Sequence, residues 1–176
     1  MTIRAVVLGV GNLLLGDEGA GPRTIEALAR DGRVPLEVAL IDGGTSAMEL
    51  LDDLAGADLL LIVDAVAHGA PPGAVVVLEG EQVPEFFTLK LSPHQVGLSD
   101  VLATLRLLDQ SPRETVIIGV QPQTLAMGLQ LSPPVAAAVP QLVGQVIARL
   151  ERAGLRGRGG SHGARPVALP AALPAA

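Results

Sequence analysis

Three carboxylates and one imidazole stand where a mixed oxygen–nitrogen site would need them. Glu18 lies in the glycine-rich run Leu8-Gly9-Val10-Gly11-Asn12-Leu13-Leu14-Leu15-Gly16-Asp17-Glu18-Gly19. Asp42 opens Asp42-Gly43-Gly44-Thr45 directly after the apolar run 36–41. Asp64 follows Leu59-Leu60-Leu61-Ile62-Val63, and His94 sits in Ser92-Pro93-His94-Gln95. Two carboxylates and an imidazole suit a divalent transition metal such as nickel, zinc or manganese, and they leave coordination positions open. A carboxylate outside such a ligand set is available as a general base. These residues are far apart in sequence, so only the fold can bring them together.

Simpler roles compete for each of them. Asp17 and Glu18 also suit a helix N-terminus, where negative charge is favoured. Asp42 suits a turn residue that stabilises Gly43-Gly44. Asp64 is harder to explain away, because a carboxylate ending so apolar a strand is costly to bury without a partner. His94, in a loop after Pro93, and His68, four residues after Asp64, both fit solvated side chains, and His162 lies in the C-terminal tail. A dinucleotide site is suggested by Gly9-x-Gly11 and Asp42. It is opposed by Leu14 where the fingerprint needs glycine, and by an acidic pair where pyrophosphate would bind. Neither a His-Glu-x-x-His motif nor a Gly-x-Ser-x-Gly elbow occurs.

The elements that must position these groups alternate between strand and helix. Apolar runs predict strands at 3–10, 36–41, 58–66, 74–78 and 114–120. Helices are predicted over 23–30, after a Ser46–Glu49 capping box, over 97–109 and from Ser132-Pro133 onward, with Pro140 bending the last. Residues 80–96 read as irregular. This pattern predicts a single-domain α/β fold, a mostly parallel twisted sheet of about five strands flanked by helices on both faces. The domain spans 1–153, followed by a Gly/Pro/Ala-rich tail at 154–176. In such sheets ligands bind beyond the carboxyl ends of the strands, where Glu18, Asp42 and Asp64 fall.

Composition narrows the function. The 176 residues carry a net charge of −6, with 49% hydrophobic residues and no cysteine. Disulfides, thiolate metal sites and a cysteine nucleophile are therefore excluded. The acidic balance argues against a nucleic-acid partner, which would need clustered Lys and Arg. No apolar stretch is long enough to span a bilayer, and Met1-Thr2-Ile3-Arg4 lacks the order of a secretory leader. A cytoplasmic monomer is the expectation.

Taken together, these segments resemble the maturation endopeptidases of nickel–iron hydrogenases, over about residues 4–152. The run Leu8–Gly19 is the most specific. Asp42-Gly43-Gly44-Thr45, Met48-Glu49-Leu50-Leu51, Val63-Asp64-Ala65, Pro72-Gly73, the stretch from Ser92 to Leu102 and Ile118-Gly119-Val120-Gln121-Pro122 follow in order. Val83-Pro84-Glu85-Phe86-Phe87-Thr88 is similar to the branch serving uptake-type hydrogenases. The resemblance implies an endopeptidase that removes a short C-terminal peptide from the hydrogenase large-subunit precursor once nickel is inserted. It implies Glu18, Asp64 and His94 as metal ligands, nickel supplied by the substrate, and Asp42 as a residue of activity or substrate discrimination. A non-catalytic nickel-sensing chaperone of the same subunit would use nearly the same residues. Phe86 and Phe87, the only aromatics, fit core packing better than a client-binding patch.

Overall fold

A computed structural model describes residues 4–45, 48–88 and 93–157, without the side chains of Pro93 and His94. Five strands form one sheet: β1 (Ala5–Val10), β2 (Ala39–Gly44), β3 (Leu59–Ala65), β4 (Val75–Leu78) and β5 (Glu114–Val120). Their order is β2-β1-β3-β5-β4. The β1–β2, β1–β3 and β3–β5 pairs are parallel, and β4 adds antiparallel to β5 as an edge strand. The connecting helices are α1 (Ala20–Ala29), α2 (Leu51–Leu54), α3 (Gln82–Thr88), α4 (Pro93–Leu107) and α5 (Pro133–Arg152).

The pleat sorts the apolar residues onto two faces, since successive side chains of a strand point oppositely. Val7, Leu61, Val63, Ile118 and Val120 face α1 and α5, where Ile25, Leu28, Val135, Leu142 and Val146 cover them. Val6, Leu8, Leu60, Ile62 and Ile117 face the other way, against Leu50 from the 3-10 turn Met48–Leu50 and against Leu54, Val83, Leu98, Val101 and Leu105 from α2, α3 and α4. Both faces are therefore dry, which explains why β1 and β3 read as continuous apolar runs. Phe86 and Phe87 meet edge-on, 5.2 Å between ring centres, and pack half-buried on the second core.

Several expected boundaries shift. β2 starts at Ala39 and runs through Asp42 to Gly44, because Val10 pairs with Gly44 across a register shift. Within the stretch 80–96 expected to be irregular, α3 occupies Gln82–Thr88 and α4 starts at Pro93 rather than Gly97, while 89–92 lie outside the described residues. Pro93 suits the first helical position, where its missing N–H is harmless. α5 continues through Pro140, which lies on its exposed side. Leu155 is buried with the α1–α5 core, two residues past the expected end of the domain. The Ser46 cap and residues 158–176 lie outside the described residues. Among the described residues no helix is long and apolar enough to cross a membrane.

Candidate active site

Glu18 is carried on a single 3-10 turn, Gly16–Gly19, between β1 and α1. Two glycines seat that turn. Gly11 has φ +139°, and a Cβ there would overlap the Glu18 carbonyl, so the chain leaving β1 folds back onto the turn only with glycine at this point. A Cβ on Gly21 would overlap the carbonyl oxygens of Val10 and Val63, the latter at 2.5 Å. The start of α1 thus rests directly on the carboxyl ends of β1 and β3. Glu18 is 9% exposed, and its turn packs against β3.

Asp17, beside it, has a different task. It is fully buried, at 0% exposure. Its Oδ2 accepts from Gln123 N at 2.8 Å, Thr124 N at 3.0 Å and Ser132 Oγ at 2.8 Å, and its Oδ1 accepts from Ser132 N at 2.7 Å. Burial alone would raise its pKa. The bonds donated by Ser132, Thr124 and Gln123 outweigh that and hold the carboxyl below 3.8. Backbone bonds extend the fastening: Asp17 N donates to Thr124 O, Gly16 N to Gly128 O and Gly128 N to Leu14 O. One carboxylate therefore pins both ends of the β5–α5 connection to the turn that carries Glu18.

Asp64 is 1% exposed, near the end of β3. It shares the α4 side of the sheet with Ile62, and its Oδ2 accepts a 2.8 Å bond from Gln95 Nε2. Gln95 lies in the first turn of α4. That bond brings the turn containing His94 to the strand end containing Asp64. His94 is thus helical in its backbone, not a loop residue as expected, and its side chain lies outside the described residues. Among the described residues no three His, Asp or Glu side chains gather into a cation site.

Asp42 is placed apart from this group. It pairs with Gly9, which pairs with Val63, so the pleat sets it on the α1 side of the sheet, opposite Asp64. Two strand spacings, about 10 Å, separate β2 from β3. Its Oδ1 accepts from Gly44 N at 3.0 Å, the turn role weighed above. His68 closes a local turn: its backbone N donates to Gln121 Oε1 at 2.8 Å and its Nδ1 lies 2.9 Å from Val66 O.

A family model described as hydrogenase maturation protease matches residues 22–149. The chain belongs to the hydrogenase maturation protease family. The hydrogenase 2 maturation protease of Escherichia coli is 44% identical over 154 residues, covering 87% of this chain and 94% of that protein. The structure of the hydrogenase maturating endopeptidase HybD from Escherichia coli superposes with a TM-score of 0.81 at 44% identity, over 86% of this chain and 94% of that one. A [NiFe] hydrogenase maturation protease HybD from Thermococcus kodakarensis gives 0.69 at 30% identity, over 84% and 99%.

Two residues of this maturation protease escaped the sequence reading as functional positions. Gln95 stands in Ser92-Pro93-His94-Gln95 with no chemistry that its type announces, and its amide reaches a carboxylate 31 positions away. Asp17 was weighed only as a helix-terminus charge, whereas its partners are distant backbone N–H groups with no side-chain signature. Ser132, whose hydroxyl also reaches Asp17, was the one visible hint.

Proposed function

We propose that the protein is an endopeptidase that removes a short C-terminal peptide from the nickel-loaded precursor of the nickel–iron hydrogenase large subunit, in the uptake-type branch. One observation carries this beyond family membership. The turn bearing Glu18 packs on β3, whose end bears Asp64, and the α4 turn bearing His94 reaches Asp64 through Gln95. The three elements that carry the expected ligands meet at one carboxyl edge, where ligands of open α/β sheets bind.

The donor set fits a divalent transition metal. Glu18 and Asp64 offer carboxylate oxygens, His94 offers an imidazole nitrogen, and such a set suits nickel arriving on the substrate. In this reading the three residues complete the coordination of precursor-borne nickel and so register its presence. Glu18, Asp64 and His94 would hold the nickel, which would supply polarisation of the scissile carbonyl or of the attacking water, or would only position the peptide for the carboxylates. A carboxylate takes the proton from that water as oxygen bonds to the carbonyl carbon. The C–N bond then breaks, and the leaving amine takes the proton. Asp42, on the other side of the sheet, serves activity or substrate selection from the Asp42-Gly43-Gly44-Thr45 turn.

Mass spectrometry of a nickel-loaded large-subunit precursor, with and without this protein and beside a nickel-free control, tests the reading. Loss of a short C-terminal peptide only in the nickel-loaded sample is the expected result. Binding with no change in mass would replace it with the chaperone reading.

A further inference from the structure

The β5–α5 connection is unlike the rest of the surface. This protein has a net charge of −6, yet no charged residue occurs between Glu114 and Arg149. Within the connection, residues 123–130 are all exposed, including Leu125, Met127 at 88% and Leu129. Leu14, also exposed, is joined to them through the Gly128 N to Leu14 O bond of 2.9 Å. The four side chains form one apolar ridge, beginning four residues before Glu18. Three other exposed leucines, Leu36, Leu107 and Leu108, precede β2 or β5 and so lie at the amino edge, away from the site.

An exposed apolar ridge in a loose loop would be unremarkable. This one is held by the buried Asp17 carboxylate and by the bonds from Gly16 and Gly128, so its side chains are presented by an ordered backbone. Contiguous exposed apolar surface of this kind marks interaction sites, and a preordered surface binds with less entropy loss. Beside the ridge lies a groove of about 450 Å³ between α1 and α5, lined by Arg23, Ala27, Arg30, Leu129, Leu131 and Val139. Arg23 is fixed at the ridge by its Nη2 bond to Leu129 O, at 3.3 Å. Arg30 is exposed at the end of α1. Gln130 also lines the groove, and Arg23 pairs with Glu26 at 3.1 Å, so Arg30 is the guanidinium best placed to meet an incoming acidic side chain.

We propose that the ridge of Leu14, Leu125, Met127 and Leu129, with the Arg23–Arg30 groove beside it, docks the hydrogenase large-subunit precursor through an apolar segment carrying an acidic side chain. This rests on the function proposed above and extends it from the cleavage site to the surface that selects the client. The ridge is continuous with the turn of Glu18, so a precursor seated on it lies at the carboxyl edge of the sheet.

The test compares the wild-type protein with Met127→Asp/Leu129→Asp, Arg23→Glu/Arg30→Glu and, as a control at the opposite edge, Leu107→Asp. Each is made with and without Glu18→Gln, and the probe is the nickel-loaded large-subunit precursor. Kd is read by interferometry, KM and kcat by mass spectrometry, and folding by thermal unfolding. Leu125→Asp stands in for any ridge variant that unfolds early. Both double variants are expected to raise Kd and KM at least about tenfold, with kcat within about twofold and the control unchanged. Cleavage with unchanged KM overturns the docking surface and leaves the endopeptidase reading standing. Ridge-dependent binding without cleavage does the reverse. A wild-type protein that neither binds nor cleaves the precursor overturns both.

Discussion

Gln95 Nε2 donates to Asp64 Oδ2 at 2.8 Å, joining the first turn of α4 to the end of β3. A carboxylate buried to this degree keeps its orientation only while a fixed donor holds one oxygen. Replacing Gln95 by Leu should lower kcat/KM on the precursor by about 10–100-fold, the usual cost of losing a partner behind a ligand. Stability should fall by about 1.5–3 kcal/mol, because the lost bond is to a buried charged group. Nickel(II) binding, followed by calorimetry as a readout independent of cleavage, should weaken in parallel. Unchanged affinity and unchanged kcat/KM together would show that Asp64 needs no such support.

Glu18→Gln keeps the size of the side chain and removes its charge. Processing of the nickel-loaded precursor should fall below detection while the circular dichroism spectrum stays that of the wild type. Processing at the wild-type rate would remove Glu18 from the mechanism.

Asp17→Ala should destabilise the fold by about 3 kcal/mol, since it strands the buried N–H of Ser132 and removes the acceptor of the Gln123 and Thr124 N–H groups. Urea titration measures this directly. A loss under about 1 kcal/mol would mean that water replaces the carboxylate at no great cost.

The same residue sets an acid limit. Its folded pKa lies below 3.8, so between the two values the unfolded chain binds a proton that the folded chain does not. Stability from this clasp is therefore complete above the unfolded value and is lost as pH falls through the depressed folded value. Unfolding free energies measured from pH 6 down to pH 2 should fall less steeply in Asp17→Asn than in the wild type. Parallel curves would assign the acid limit to other carboxylates.

Gly21→Ala should cost about 1–3 kcal/mol, because the added methyl meets the Val10 and Val63 carbonyls rather than yielding side chains. A urea midpoint equal to that of the wild type would show that α1 lifts off the sheet freely.

The central architecture was legible because both faces of the sheet are covered. Leu59 to Val63 could only be a doubly buried strand, and Glu114–Val120 coincides with β5. Asp64 was legible for the same reason, as a polar residue ending that run. α3 was not, since seven residues containing Pro84 show no helical stripe. The start of α4 was missed because Gly97 looked like a boundary, although Pro93 at a first turn was the better signal. β2 was ended early because Asp42-Gly43-Gly44 reads as a turn. It stays in the sheet through pairing with Gly9 and Val10, which no local pattern reveals. The clasp at Asp17 depends on backbone donors over a hundred residues away. Residue type alone could not point to them.

The fastening of residues 123, 124 and 132 to one carboxylate also divides the connection between β5 and α5 into two regimes of change. Its anchored ends tolerate little, because a slipped contact would disturb the neighbouring glutamate. The stretch between them is tied to the same turn at Gly128, so its outward side chains, though not its length, can be exchanged without moving that glutamate. Paralogues serving different clients could therefore diverge there rapidly while their cutting machinery stays the same. A graft of residues 125–130 between two such paralogues would then transfer client preference without a new active site.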